Sequence, residues 1–457
     1  MRLKIQEIIN ACGGRVLNEA DLSARVTSIS TDTRTIKAGS LFIPLVGENF
    51  DAHDYIFQAA ENGAICALTE RQNTPTDMDI PLIYVSSTRR ALMDLADFYR
   101  RMHDVKVIAI TGSAGKTTTK DMVADILSQK YKTKRTIKNF NNDIGMPLSI
   151  FRLEKGDEVL VLEMGMNHAN EIHELSLVGE PDIAVITHIG DAHIENFANR
   201  EGILHAKLEI IDGLRQGGKI IFNGDDLLLT GKIAAEKISN VTHKFFPSSQ
   251  NIIKAEPIGF QETRCIFNWR GEEVHINVPI PGAHMVMNAL LASVVGLEMG
   301  VSPLQITNAF ANFTPPEGRL NIFETANMTV IDDVYNANPA SMLEAIKVLC
   351  RKTPENKHRR RVAILGDMNE LGHVAEARHF EVGEFAAEEG IDLLIAIGEL
   401  SRSIYEGFNN ENSLYFKSLE DFYPKIFDIL QSHDMVLAKA SRGMAFELIV
   451  KILKSKE

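Results

Sequence analysis

Ile110-Thr111-Gly112-Ser113-Ala114-Gly115-Lys116-Thr117-Thr118-Thr119 decides how this chain is read. An apolar run, Val107 to Thr111, feeds a glycine loop, and Lys-Thr then opens a helical pattern. Glycines let backbone N–H groups converge on phosphate oxygens, and the positive end of the helix dipole adds to that attraction. The order strand, glycine loop, helix predicts a nucleotide-binding P-loop at Gly112, Ser113, Ala114, Gly115, Lys116, Thr117 and Thr118. Lys116 is placed to reach the β- and γ-phosphates, and Thr117 to hold Mg²⁺ through its hydroxyl. The spacing is the compact TGxxGKT form, because Ile110 stands where GxxxxGK[ST] needs its first glycine.

Outward from this loop, apolar strands alternate with helices, the pattern of a parallel α/β sheet. Strands are expected at Val107 to Thr111, Glu158 to Glu163, Ile183 to Ile189 and Lys219 to Asn223. Thr242 to Pro281 alternates polar and apolar residues around Arg270-Gly271, as a small antiparallel addition would. Thr314-Pro315-Pro316 breaks the chain, and a second βα series follows at Thr329 to Asp333, Val362 to Gly366, Leu393 to Gly398 and Met435 to Lys439. It reads as Rossmann-like, but GxGxxG is absent, so dinucleotide binding has no support. Before the P-loop, a short helix and strand-like runs such as Ser40 to Leu45 lead through the polar stretch Arg71 to Pro81 to a helix at Ala91 to Met102. At about 150 residues per domain, 457 residues suggest roughly three domains. The expected α/β architecture is a small N-terminal domain at 1–85, a central P-loop domain with a parallel sheet at 86–313, and a C-terminal Rossmann-like domain at 314–457.

Further candidates sit at strand ends. Glu163 closes an apolar run beside the P-loop strand and suits a Mg²⁺ ligand, direct or through water; alone it would be a surface carboxylate. His193 follows the next strand, at the sheet edge where α/β proteins bind ligands, yet a strand-end histidine is often only hydrogen-bonded. Lys207 shares a helical stripe with Ile203, Ile210, Ile211 and Leu214, within a helix expected at Arg200 to Leu214. A lysine on an inward face is paired, neutral or chemically modified, unless its stem packs on the core and the amine reaches out. Asn139, Asn141 and Asn142, with Gly145 and Pro147, suit either hydrogen bonding to a polar ligand or plain turn chemistry.

Composition bounds the function. Apolar residues make up 45% and charged residues 24%, ordinary for globular proteins. A net charge of -13 argues against nucleic acid as a partner, while a few local cations can still bind small anions. His358-Arg359-Arg360-Arg361 is the one strong basic cluster and reads as a solvated loop. Four scattered cysteines, without CxxC spacing, are expected as buried free thiols. The apolar stretch Ala289 to Leu297 is half the ~18–20 residues of a membrane span, and Glu7 interrupts any signal-peptide core. The expectation is a cytoplasmic protein without membrane insertion, monomeric by default.

Taken in order, these residues resemble the Mur ligases, ATP-dependent amide-forming enzymes of peptidoglycan precursor synthesis. Asp32-Thr33-Arg34, Gly39-Ser40-Leu41-Phe42 and Gly47 with Asp51-Ala52-His53 resemble the family's module for the UDP end of the substrate. The P-loop, the Asn139-to-Pro147 segment, Glu163-Met164-Gly165-Met166, His193 and Ala206-Lys207 follow in family order. Pro281-Gly282-Ala283-His284 with Asn288 resembles the adenine-side motif, and Gly318-Arg319 with Asp332 to Pro339 opens the third domain. Asp332-to-Pro339, Gly366-to-Gly372 and Lys439-Ala440-Ser441-Arg442 are most similar to the branch that adds D-alanyl-D-alanine to UDP-MurNAc-tripeptide. Ala114 stands where Asn is usual and Ala440 where Gly is usual.

The resemblance implies ATP and Mg²⁺, an acyl-phosphate intermediate, and catalytic roles for Lys116, His193 and Lys207. It places Asn288 and Arg319 on ATP, Asp333 near its ribose, and a second Mg²⁺ on His193. It implies that Lys207 is carbamylated and so becomes a metal-binding carboxylate. Asp32, Thr33 and Arg34 would meet UDP-MurNAc-tripeptide, while Tyr335, Asn336, Asn338, Ser441 and Arg442 belong to the substrate side of the third domain. It also implies that the third domain swings toward the central one. Rival readings are another amide ligase of the superfamily, third-residue-adding or folylpolyglutamate synthetase-like, and a P-loop protein using ATP as a switch.

Overall fold

All five residues of the strand Val159–Glu163 are buried, as only a strand covered on both faces can be. It lies in a six-stranded, all-parallel sheet of spatial order His243–Phe245, Lys219–Phe222, Ile183–Ile186, Lys106–Thr111, Val159–Glu163 and Thr133–Arg135. This is a computed structural model that describes residues 1–18, 21–74, 78–353, 356 and 358–455. The P-loop strand is third from one edge, flanked by the strands ending in Glu163 and Ile186. Its residues Val107 to Ile110 are fully buried, and Val107, Ile108 and Ile110 are each worth roughly 1.5–3 kcal/mol of apolar transfer. Three antiparallel strands, Ile252–Ile258, Glu262–Trp269 and Glu272–Val278, form the expected addition around Arg270-Gly271.

A second six-stranded sheet runs Asn321–Glu324, Thr329–Asp332, Met435–Lys439, Arg361–Gly366, Leu393–Ile397 and Ser413–Phe416, with only its first pair antiparallel. The N-terminal sheet has five strands, Arg15–Val16, Leu82–Tyr84, Ala64–Thr69, Ser40–Phe42 and Ser28–Ser30. One apolar core runs from Leu3 through the central sheet to Leu437.

Several expected elements are trimmed. The strand from Ile183 ends at Ile186 because Thr187 turns its hydroxyl onto the carbonyls of Thr111 and Ala114, and Ile189 donates its N–H to Asp226. The helix expected to Leu214 is α-helical over Arg200–Leu208 and tightens to a 3₁₀ turn over Glu209–Ile211. There the Glu209 carboxylate accepts from the N–H groups of Asn170 and His173, pinning this turn to the neighbouring helix Glu171–Gly179. The helix expected from Ala91 begins at Thr88, capped by the Ser87 hydroxyl. Residues 75–77 of the polar stretch Arg71 to Pro81 lie outside the described residues. The basic cluster is not a solvated loop. Arg360 forks onto Asp434, and Arg361 opens a strand while pairing with Asp392. Cys66 and Cys265 are buried as expected, but Cys12 and Cys350 are only half-buried.

Candidate functional site

Local backbone geometry builds the phosphate loop. Gly115 has φ +81 and caps the helix Lys116–Ser128, and a Cβ there would lie 2.7 Å from the Asn288 amide oxygen. Gly112, at φ +149, would place a Cβ 1.9 Å from the Thr187 hydroxyl. Only glycine fits either place. Ser113, Ala114, Gly115, Lys116, Thr117 and Thr118 line a cavity of about 270 Å³, with Asn139, Asn141, Glu163, His193 and Asn288. Arg319, Asp333, Tyr335, Asn336 and Asn338 line it from beside the second six-stranded sheet. The P-loop segment and the far half of the chain thus meet at one small polar space.

Lys116 Nζ donates to the carbonyl of Gly112 at 2.7 Å. Burial pulls its pKa below the ordinary lysine value, opposed by Glu163 and Glu370 and reinforced by Arg319. Glu163 is 1% exposed; its Oε1 accepts from Asn141 Nδ2 at 2.8 Å, while Oε2 has no hydrogen-bond partner. A buried carboxylate oxygen left without a donor is costly unless a cation serves it. The nearest ammonium, Lys120 Nζ, is 4.0 Å away. Arg319 stacks over the Tyr335 ring at 4.2 Å and donates through Nη2 to the Thr117 hydroxyl at 3.0 Å. Asp333 is not free: Lys439 Nζ lies 2.6 Å from its Oδ2, and its Oδ1 accepts from the Leu320 N–H.

Lys207 is 1% exposed, and burial, then repulsion from Lys116, drives its pKa well below 10.5. Among the described residues its amine has no hydrogen bond or ion pair. His193 has φ +62, and its Nδ1 sits 2.6 Å from Glu370 Oε2. Among the described residues, no group of three or more His, Cys, Asp or Glu is arranged to hold a metal. Two oxygens, the Thr117 hydroxyl and Glu163 Oε2, still suit Mg²⁺, which keeps waters and phosphate oxygens as its other ligands.

Other expected site residues lie elsewhere. Asn142 serves its own turn, its Oδ1 accepting from the N–H groups of Ile144 and Gly145. Asp32 accepts from the Arg34 backbone and guanidinium in an exposed turn that also holds Thr33. Arg442 lines a larger adjoining cavity of about 1080 Å³ that shares Thr117, Asn139, Arg319 and Tyr335 with the smaller one. Ser441 is buried and fixes a loop, its hydroxyl accepting from Asn369 N–H at 2.8 Å. Sequence reasoning passed over Lys120, Lys439 and Glu370 as site residues. Lys120 stands one helical turn after Lys116, and Lys439 ends an apolar strand, so both carried the signal of a cation on an inward face.

Fold and site define a P-loop enzyme in which residues beside a second sheet wall the P-loop cavity. Three family models match: Mur ligase family, catalytic domain, over 25–100; Mur ligase middle domain over 110–296; and Mur ligase, glutamate ligase domain, over 318–442. The chain belongs to the Mur ligase family. It is 35% identical to the UDP-N-acetylmuramoyl-tripeptide--D-alanyl-D-alanine ligase of Bacillus subtilis, covering 98% of both chains. The enzyme of the same name from Escherichia coli is 35% identical, covering 96% of this chain and 95% of that one. MurF from Acinetobacter baumannii superposes with a TM-score of 0.90 at 31% identity, covering 100% and 99%. MurF from Thermotoga maritima in complex with ADP gives 0.82 at 25% identity, covering 94% and 97%.

Proposed function

We propose that this protein joins D-alanyl-D-alanine to UDP-N-acetylmuramoyl-tripeptide at the expense of ATP, a step of peptidoglycan precursor synthesis. The observation that carries this is near-full-length similarity to enzymes of that name, on a chain whose P-loop cavity is walled by Arg319, Tyr335 and Asn338. A carboxylate and an amine do not condense unaided at neutral pH. The tripeptide carboxylate attacks the γ-phosphorus, the bond to ADP breaks, and an acyl phosphate results. The dipeptide amine then attacks the carbonyl, phosphate departs, and the amine proton is lost. Catalysis here is positioning and charge neutralisation. Lys116 exchanges its bond to Gly112 for phosphate oxygens, and Arg319 approaches them from the other wall. Thr117 and Glu163 would hold Mg²⁺, which when bound offsets charge on the phosphate oxygens. In this reading Asn288 meets the adenine and Asp333, held in place by Lys439, meets the ribose.

Lys207 is read as carbamylated. Burial disfavours the charged form of its unpartnered amine, and the neutral amine is the form that adds CO₂, forming an N–C bond and releasing a proton. A ¹³C-carbamate resonance in protein equilibrated with ¹³C-bicarbonate, absent from Lys207→Ala, is expected. Full activity in Lys207→Ala would remove the residue from the mechanism.

The units at 1–85, 86–313 and 314–457 are assigned to the UDP-sugar end, ATP and the dipeptide respectively. Asp32, Thr33, Arg34, Asn139 and Asn141 take the first substrate; Asn336, Asn338, Ser441 and Arg442 shape the dipeptide side. No helix of the described residues is long and apolar enough to cross a membrane. A P-loop cavity complete within one chain supports action as a monomer, and four unpaired cysteines suit the cytoplasm. The decisive experiment is phosphate release with each substrate omitted in turn. Release requiring ATP, UDP-MurNAc-tripeptide and D-Ala-D-Ala together supports the ligase; release with ATP alone supports a switch.

A further inference from the structure

His193 and Glu370 are both in the left-handed backbone region, at φ +62 and +66, where residues with a Cβ are disfavoured. They lie on opposite sides of the cleft between the two six-stranded sheets, and their side chains meet as an ion pair, Nδ1 to Oε2 2.6 Å, with Nδ1 buried and not yet aligned in a hydrogen bond. The two loops are joined again by the Glu195 N–H donating to the Glu370 carbonyl at 3.3 Å. His193 lines the nucleotide cavity and Glu370 does not. Two strained residues aimed at each other across a cleft are held there by the surrounding structure. A carboxylate on one ring nitrogen of histidine keeps the proton on that nitrogen and leaves the other as a lone pair.

We propose that Glu370 is a positioning residue of the ligation. Carried in on the second sheet's side, it fixes His193 with the proton on Nδ1 and presents Nε2 to the phosphate end of the cavity. The central unit alone then holds an incompletely oriented site, and contact with Glu370 finishes it. This rests on the ligase reading, but its test does not depend on that reading alone.

Glu370→Ala, Glu370→Gln, His193→Ala and the double variant Glu370→Ala/His193→Ala would be compared in phosphate release. Glu370→Ala is expected to lower kcat about 10–100-fold with KM values for both substrates little changed. Glu370→Gln is expected to restore much of the rate, since its amide oxygen can accept from Nδ1–H. The double variant is no slower than His193→Ala. Independently of activity, ¹⁵N NMR of histidine-labelled protein with ADP shows a single His193 tautomer, protonated at Nδ1, that becomes a mixture in Glu370→Ala. A kcat near the parent value in Glu370→Ala, multiplying effects in the double variant, or an unchanged tautomer would overturn the proposal. Failure of the parent to release phosphate would instead count against the ligase reading, leaving the tautomer to decide on Glu370.

Discussion

At Gly115 a single hydrogen decides whether the loop can close on phosphate. Any side chain there meets Asn288 at 2.7 Å while the backbone stays at φ +81, so Gly115→Ala pays strain of about 1–3 kcal/mol. Relief of that strain turns the N–H groups away, and ADP affinity measured by calorimetry is expected to fall while the fold survives. Lys116→Met acts differently, since no backbone moves: kcat is expected to fall by about 10²–10³ with circular dichroism unchanged. Both residues were legible from sequence because their role is local, a turn followed by a helix. Glu370 was not. Its pairing with His193 joins positions far apart in the chain, and neither loop carries a pattern that predicts the other.

Elements show the same division between local and distant information. The four inner strands of each six-stranded sheet announced themselves as apolar runs because they are buried on both faces, with errors at ends where side chains leave the ladder, as at Thr187. The partly exposed edge strands Thr133–Arg135, His243–Phe245, Asn321–Glu324 and Ser413–Phe416 carried no such run and were missed. The helix carrying Lys116 hid its second role. Lys120, fully buried on it, donates to the carbonyls of Thr136 and Lys138 and pairs with Asp121 at 3.3 Å. It thereby ties the P-loop helix to the strand end from which Asn139 and Asn141 project. Lys120→Met removes a buried cation from two carbonyls and from Asp121, which keeps Arg135 at 3.3 Å, so the loss is about 1–3 kcal/mol, the cost of leaving the carbonyls unserved. The expected readouts are a lowered melting temperature and a raised KM for the UDP-linked substrate. Unchanged melting would mean that Asp121 and the strand end hold themselves.

On the scale of the whole molecule, a few polar ties add to the apolar core shared by the central and second six-stranded sheets. Arg319 reaches Thr117, 202 residues away in sequence, and Arg378 lies 3.2 Å from Asp191, whose carboxylate also pairs with Arg200. His284, before the long helix Ala283–Glu298 has completed a turn, lies 3.1 Å from Glu344 on the helix Pro339–Cys350. The Glu344 tie has a pH signature. The His284 contact, with Lys347 assisting against burial, lowers its carboxyl from 4.5 to about 2. A depressed carboxylate stabilises the state that contains it above the free value, and that contribution drains away as pH falls from 4.5 toward 2. At neutral pH the tie is therefore fully present. On acidification through that window the closed arrangement loses it, and small-angle scattering is expected to report a rising radius of gyration before far-UV circular dichroism changes. Glu344→Gln should already be the more open form at pH 7 and lose part of the acid response. If the variant and the parent expand along the same curve, the acid opening belongs to other carboxylates, with Asp191 between its two arginines the next to replace.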